Sequence, residues 1–516
     1  MYDTTLRDGA QGEGLSFSLE DKIKIAMKLD YLGISYIEGG WPGSNPKDME
    51  FFRLIRQKEL KHSKIAAFGS TRKAGITVNQ DSNVKALIDT GMPVCTIVAK
   101  SWDFHVIKAL ETTLEENLNM IKDTVSYLKD KNKEVILDAE HFFDGYKNNR
   151  DYALEVLRAG AEAGADWLVL CDTNGGTLPW ELEKIIEDVS LNISTPLGIH
   201  VHNDSACAVV NSLIAVRKGC KQVQGTINGY GERCGNADLC SIIPNIELKM
   251  NKSVLPEGHL KYISEVSRYI SEISNMPHHN NQPFVGHGAF AHKGGLHVSA
   301  LLKDTLTYEH INPEEVGNNR RVLMSELSGI SNLLYKAKEL NIDVSSYDAE
   351  TRKVIKQIKE LENQGLQFEG ADASLELFLR KAFDQYREFF QLKNFKVIIE
   401  KTEDGEITSE AVVKIVVGDK VFHTAAEGDG PVNALDNSLR KALNEVYPEI
   451  NLMHLSDYKV RVLNGNRGTA AKVRVLIESA NQQNKWSTIG VSENIIEASW
   501  QALADSINYL LLKKKG

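Results

Sequence analysis

The sequence predicts an α/β protein: a (β/α)8 TIM barrel, then a helical linker subdomain, then a C-terminal α+β domain. Over about the first 250 residues, short β-branched or apolar runs alternate with amphipathic segments of helical length. Each run ends in a polar or glycine-rich turn, and the last 120 or so residues contain an internal repeat. These three observations together predict the architecture.

Eight of the runs have the length of strands, and helices such as 19–32, 114–128 and 152–163 separate them. Eight strand–helix units in about 250 residues match the size of a (β/α)8 barrel. The predicted strands are 2–5, 36–38, 65–68, 95–99, 135–139, 167–171, 198–201 and 222–227.

A doubly wound open sheet is the competing α/β architecture, and it usually carries a glycine-rich phosphate turn after its first strand. The corresponding turn, residues 7–14, reads RDGAQGEG and contains no G-x-G-x-x-G. The sequence therefore favours the barrel.

Three domains are expected, with a catalytic barrel over residues 1–275. The linker subdomain, 276–390, contains a Gly- and His-rich segment followed by helical periodicity, and 391–516 forms the C-terminal domain. In that domain residues 395–399 recur as 458–462, and each copy continues with two more strands and a helix. Two βββα units with their helices on one face predict a two-layer module.

Composition excludes several classes of protein. The 516 residues include 60 Lys and Arg against 70 Asp and Glu, a formal charge of -10, which argues against broad binding to nucleic acid or to an anionic membrane. No apolar run approaches the ~18 residues of a membrane span. The six cysteines form no C-x-x-C pair, so we expect reduced thiols in the cytoplasm.

Polar residues follow the predicted strands at the end where barrels carry their active sites. His200 and His202 are two apart on strand seven, so their side chains point to one side and can bind one ion. Asp8 follows strand one, a neighbour once the barrel closes, and Asn236 lies after strand eight. Two nitrogens, a carboxylate and an amide suit Mn, Mg, Co or Zn. Two hydrogen-bonded histidines without a metal are the alternative.

Four further side chains are candidates for chemistry at these ends. Arg7 either clamps a substrate carboxylate or carbonyl, or pairs with Asp8 or Glu140. Glu140 is an acid/base group or a member of such a pair, and Thr173 either donates to a substrate carboxylate or shapes a turn. Asp204 either supports a histidine or caps the next helix.

Residues 287–297 gather three histidines and three glycines outside the predicted barrel. Titratable groups crowded into flexible backbone suggest a catalytic loop or lid, although an ordinary surface loop is the alternative. His297 and Tyr308 are the candidates from this region.

Three separated motifs carry a family resemblance: residues 6–11 (LRDGAQ), 200–204 (HVHND) and 229–236 (GYGERCGN). Together they resemble the 2-isopropylmalate, homocitrate and citramalate synthases, in which a metal-dependent barrel condenses an α-keto acid with acetyl-CoA. The resemblance extends over essentially the whole chain. Residues 11–14 and 37–48 are most similar to the long citramalate synthases, which implies pyruvate as the keto acid, (R)-citramalate as the product and a place on the route to isoleucine.

The resemblance also implies roles for individual residues. Asp8, His200, His202 and Asn236 correspond to metal ligands, Arg7 to the group that stabilises the enolate or keto oxygen, and Thr173 to a contact of the substrate carboxylate. Glu140, His297 and Tyr308 correspond to acid/base groups. In the family the last two reach the active site of the partner subunit, which implies a homodimer.

The resemblance further leads us to expect isoleucine to bind in the C-terminal repeat, near 428–431 and 490–492; a purely structural dimerisation domain is the alternative. One departure is that the first strand starts at Tyr2, whereas relatives carry a few more upstream residues. We therefore expect a short first strand, or a start further upstream.

Three rival functions remain open from the sequence. The first is the same condensation on a larger keto acid, as in 2-isopropylmalate or homocitrate synthases. The second is a metal-dependent C–C lyase on the same barrel, against which the duplicated C-terminal domain argues. The third is a non-catalytic amino-acid sensor, which complete retention of the ligand and acid/base candidates disfavours.

Overall fold

The computed structural model describes residues 1–344, 348–463 and 465–515. Eight parallel strands form a closed barrel in chain order, with β1 bonded to both β2 and β8. The predicted barrel is confirmed. Its strands are β1 Tyr2–Asp3, β2 Tyr36–Gly40, β3 Lys64–Ser70, β4 Val94–Lys100, β5 Glu134–Glu140, β6 Trp167–Asp172, β7 Leu197–Val201 and β8 Gln222–Gly225.

Helices cover the outside of the barrel and bury their apolar sides against the strands. Helix α1 begins with a capping box at Ser18 and ends at Gly33, whose φ of 97° suits a residue without a side chain. The helices are α1 Leu19–Leu32, α2 Pro46–Ile55, α3 Ser82–Asp89, α4 Asp103–Lys108, α5 Leu114–Asp130, α6 Phe142–Asn148, α7 Arg150–Glu162, α8 Pro179–Asn192, α9 Ala208–Arg217, α10 Leu239–Pro244 and α11 Ile263–Ile273.

Two predicted barrel strands run longer than the observed ones, for local reasons. Strand β1 ends at Asp3 because the Asp3 carboxylate accepts hydrogen bonds from the amide and hydroxyl of Thr5, which turns the chain. Strand β8 ends at Gly225 because the amide of Thr226 bonds instead to the carbonyl of Ala237.

The chain divides into two compact units, Met1–Phe290 with Ile311–Asn319, and Ala291–His310 with Arg320–Gly516. The predicted domain boundaries at 275 and 390 stay a prediction. The second unit contains the short parallel pair β9 Ala291–His292 and β10 Arg321–Val322, and the helices α12 Gly295–Leu301, α13 Ile330–Glu339, α14 Asp348–Asn363 and α15 Asp372–Ala382.

The duplicated βββα module is confirmed within the second unit. Each copy is a three-stranded antiparallel sheet covered by its own helix, α16 on the first sheet and α17 on the second. Both copies contribute to one apolar core. Their elements are β11 Gln391–Lys401, β12 Ile407–Val417, β13 Lys420–Gly428, α16 Pro431–Leu443, β14 His454–Val462, β15 Val473–Ala480, β16 Lys485–Ser492 and α17 Ile495–Lys515.

Among the described residues, no helix combines the length and the apolar character that crossing a membrane requires.

Candidate metal centre and active site

A cavity of about 740 Å³ opens at the carboxyl ends of the barrel strands. This is the end at which the polar residues of the sequence were expected to meet. Its walls carry both carboxylates and cations, so it is suited to a small charged substrate. The lining includes Arg7, Asp8, Trp41, Phe68, Lys100, Asp138, Glu140, Thr173, His200, His202 and Arg233.

Asp8, His200 and His202 come together as a compact buried cluster in this cavity. Asp8 Oδ2 lies 3.2 Å from His200 Nε2 and 3.6 Å from His202 Nε2, and the two Nε2 atoms are 3.4 Å apart. The cluster forms because His200 on β7 and His202, one residue after β7, share one side of the extended chain, while β8 pairs with β7 and with β1, which precedes Asp8.

The charges of the cluster depend on one another. Burial opposes ionisation of Asp8, but Arg7 and the two histidines hold the pKa of this carboxyl well below its usual range. Burial also opposes protonation of His200, yet its hydrogen bond to Asp8 raises the His200 pKa. Burial and the neighbouring His200 lower the pKa of His202 to about 4.

Asn236 supplies a further test of whether the cluster fits a metal. Its Oδ1 atom is buried and has no hydrogen-bond partner among the described residues, while its Nδ2 donates to the carbonyl of Tyr230. Asn236 lies beside His202 through a backbone bridge. A Cβ on Gly231, whose φ is 153°, would lie 2.2 Å from Asn236 Nδ2, so this approach requires glycine. An unsatisfied amide oxygen on the residue that bridges to His202 fits a divalent cation held by the Asp8–His200–His202 cluster.

Sequence reasoning missed the residues that support His200. Its Nδ1 lies 2.9 Å from Gln224 Oε1, which as acceptor directs Nε2 towards Asp8. Gln224 Nε2 donates in turn to Asp138 Oδ1 at 3.0 Å. Burial, followed by the charge of Glu38, raises the pKa of Asp138 to about 7. The sequence feature that could have identified these residues is a polar side chain inside a predicted strand, as for Gln224 in β8 and Asp138 in β5.

Arg7 pairs with Asp8, as one predicted alternative stated, at 3.4 Å. Its main partner is one that the sequence analysis did not name: Arg7 Nε donates to Glu38 Oε2, and the guanidinium carbon lies 3.9 Å from the centre of the Phe68 ring. Burial disfavours its charge, but Glu38 and Asp8 together raise the pKa of Arg7 above its usual range. Arg7 is thus a fixed cation in the wall of the cavity.

Glu140 and Thr173 line the same cavity. Glu140 forms an ion pair, and its partner is Lys100 rather than Arg7. Thr173 Oγ1 accepts a hydrogen bond from the amide of His141 at 2.9 Å. Because a hydroxyl that accepts one bond retains its own proton, Thr173 is still able to donate to a substrate oxygen.

Asp204 neither supports a histidine nor caps the next helix, the two roles considered for it from the sequence. Its carboxylate accepts two hydrogen bonds from Arg233, at 2.8 and 3.0 Å, and Arg233 also donates to the carbonyl of Thr173. The next helix begins at Ala208, whose amide bonds to Asn203. The Asp204–Arg233 pair therefore ties the loop after β8 to the loops after β6 and β7.

His297 and Tyr308 belong to the second unit, whereas the other predicted site residues belong to the first. His297 lies on helix α12 and not in a loop, so that part of the expected lid is helical. The rings of His297 and Tyr308 stack with their centres 4.3 Å apart, and Tyr308 is 46% exposed. The two side chains thus form one exposed aromatic pair.

Three family profiles match the chain, described as HMGL-like over residues 1–270, Homocitrate synthase post-HMGL domain-like over 284–366, and LeuA allosteric (dimerisation) domain over 369–511. The (R)-citramalate synthase of Geobacter sulfurreducens is 56% identical over 516 residues, 100% of this chain and 98% of that protein. The (R)-citramalate synthase of Aquifex aeolicus is 56% identical over 515 residues, 99% of this chain and 98% of that protein. A 2-isopropylmalate synthase of Methanocaldococcus jannaschii is 31% identical, covering 100% of this chain and 95% of that protein.

Proposed function

We propose, since this chain belongs to the HMGL-like family and within it to the group of citramalate and 2-isopropylmalate synthases, that it condenses pyruvate with acetyl-CoA. Water then releases CoA, and the product is (R)-citramalate, on the pyruvate route to isoleucine. The observation that carries this proposal is the full-length similarity, at 56% identity, to proteins named (R)-citramalate synthase. The buried carboxylate–imidazole cluster in the barrel cavity supports it.

Asp8, His200, His202 and Asn236 are the proposed ligands of a divalent metal, with Mn, Mg, Co and Zn as the candidates. Such an ion supplies Lewis-acid polarisation of a keto oxygen and offsets the negative charge that develops on that oxygen.

Arg7 and Thr173 are the proposed contacts of the keto acid. Arg7 is held by Glu38 and stacked on Phe68, so its guanidinium is already oriented for a developing oxyanion or enolate oxygen. Thr173 keeps a free hydroxyl proton for the substrate carboxylate, because its oxygen accepts from His141. Both contacts are built before substrate binds, which reduces the reorganisation needed in the transition state.

The condensation breaks a C–H bond of the acetyl methyl group, joins that carbon to the keto carbon, and ends with cleavage of the thioester by water. Glu140, at the end of β5 in the cavity wall, is a proposed acid/base group for these proton transfers. We propose the same role for His297 and Tyr308, acting from the partner subunit of a homodimer. The match to the dimerisation domain supports a dimer.

Release of thiol from acetyl-CoA tests the proposed function. Purified protein with Mn or Mg is compared on pyruvate, 2-ketoisovalerate and 2-oxoglutarate, with and without a chelator. We expect turnover of pyruvate that the chelator abolishes and that added metal restores. Preference for a branched or dicarboxylic keto acid would overturn the proposed substrate and leave the metal-dependent condensation in place.

We also propose that isoleucine binds the C-terminal repeat and inhibits the reaction, and that the enzyme works in the reducing cytoplasm. The match to an allosteric domain and the six unpaired cysteines support these two statements. Isoleucine should slow thiol release by the full chain and should bind to it in calorimetry, whereas a chain that ends at residue 394 should not bind isoleucine. Unchanged isoleucine binding by the shortened chain, or unchanged inhibition where it retains activity, would refute the regulatory role.

A further inference from the structure

Lys100 and Glu140 end two neighbouring barrel strands and face each other at the last position of the β4–β5 register. Lys100 Nζ donates to Glu140 Oε2, and each side chain is about 24% exposed. Both line the cavity that holds the Asp8–His200–His202 cluster. The pair is therefore a feature of the cavity wall and not of the outer surface.

The backbone around this pair is fixed from both sides. Ser101, which is fully buried, donates from its hydroxyl to the carbonyl of Glu140 at 2.6 Å, and its amide donates to the same carbonyl at 3.3 Å. The carbonyl of Lys100 accepts from the side chain of Asn117 at 2.9 Å. The next residue after Glu140 is tied to β6 through Thr173. These hydrogen bonds hold in place the backbone from which both side chains of the ion pair extend.

The ion pair occupies only one of the two carboxylate oxygens. Lys100 holds Oε2, while Oε1 of Glu140 receives no hydrogen bond from the residues that the structure describes. A lysine ammonium is a compact point charge, so it fixes one oxygen without the two-pronged grip that arginine would impose. Oε1 therefore remains free for proton transfer.

We infer that Lys100 is a positioning residue for the reaction, which holds Glu140 through Oε2 so that Oε1 serves as the acid/base oxygen. This inference rests on the proposed function, in which Glu140 moves protons. A base that removes a proton from a thioester methyl group has to be held in place, because a misplacement of about 1 Å can cost about 100-fold in rate.

The chain offers a matched control at the opposite end of the barrel. Lys64, at the start of β3, forms an ion pair with Glu134, at the start of β5, at 2.7 Å. It is also a lysine–glutamate pair between barrel strands, but it lies at the end away from the cavity. Replacing Lys64 therefore measures how far the loss of such an ion pair lowers the melting temperature and the activity through the fold alone.

The experiment uses the full-length enzyme with metal and the keto acid that the wild type prefers. We compare Lys100→Met, Lys100→Arg and Lys64→Met by thiol release, and we record the melting temperature of each. Lys100→Met should lower kcat about 10- to 100-fold with little change in the KM of either substrate. Lys100→Arg should recover little of kcat, because its two-pronged grip would also occupy Oε1, and Lys64→Met should behave as the wild type.

A second comparison uses Glu140→Gln. If Lys100 acts through Glu140, adding Lys100→Met to Glu140→Gln should cost little further activity. A raised KM with unchanged kcat in Lys100→Met would overturn the inference, because Lys100 would then bind substrate directly. Losses that multiply in the double variant, or a Lys100→Met enzyme that behaves like Lys64→Met, would also overturn it. Failure of the wild type to use pyruvate would count against the proposed function and not against this inference.

Discussion

Replacing Gln224 with leucine should weaken metal binding without touching any proposed ligand. Gln224 Oε1 accepts the hydrogen bond from His200 Nδ1, and Gln224 Nε2 donates to Asp138 and to Gln222. Leucine removes all three bonds and keeps most of the volume. Loss of such a supporting contact typically lowers metal affinity by about 10- to 100-fold, which corresponds to about 1.4–2.7 kcal/mol.

The assay is competition for Zn or Mn between the protein and a fluorescent chelator, which reads affinity without reference to turnover. Gln222→Leu is the control, because Gln222 is also buried on the same strand and its replacement removes only the bond from Gln224 to Gln222, leaving the bond to His200 in place. We expect affinity to fall only in Gln224→Leu. Equal affinity in the two variants would refute the argument that this hydrogen bond orients His200.

Three further predictions concern stability and substrate binding. Lys22→Met should lower the free energy of unfolding, measured by chemical denaturation, by about 3–5 kcal/mol, because it leaves the buried carboxylate of Asp48 without its ion-pair partner. The control is Lys24→Met, which removes an exposed ion pair and should lower the free energy of unfolding by less than about 1 kcal/mol. Burial raises the pKa of Asp3 to about 7. The folded state therefore binds the carboxyl proton of Asp3 more tightly than the unfolded state does, and the protein loses stability as the pH rises from about 4 through 7. Asp3→Asn should therefore become more stable relative to the wild type between pH 5 and 8, by about 1–4 kcal/mol in the free energy of unfolding. A stability difference between the variant and the wild type that does not change with pH would contradict the burial argument. Thr173→Val should raise the KM for the keto acid about 10- to 100-fold in thiol-release kinetics, while Thr173→Ser keeps the hydroxyl and should stay close to the wild type.

The sequence by itself determined the barrel, the duplicated C-terminal module and the grouping of Asp8, His200 and His202. These features follow from local patterns: an extended chain has a period of two, so His200 on β7 and His202, one residue after it, share a side. Closure of eight strands in chain order then brings Asp8 beside them. Element ends were less predictable, because side-chain bonds such as those from Thr5 to Asp3 end a strand early.

Only the tertiary structure decided which charges pair inside the cavity. Pairing of Arg7 with Asp8 or Glu140 was one of two predicted alternatives; Arg7 does contact Asp8, but it is held mainly by Glu38, and Glu140 pairs with Lys100. The sequence marks Gln224 as a polar residue within a strand, but only the structure shows that it bonds to His200. Each of these contacts joins side chains from different strands, and their distances depend on strand register and tilt around the closed barrel. Those quantities arise from packing of the whole barrel, whereas the period of a strand is a property of its own residues.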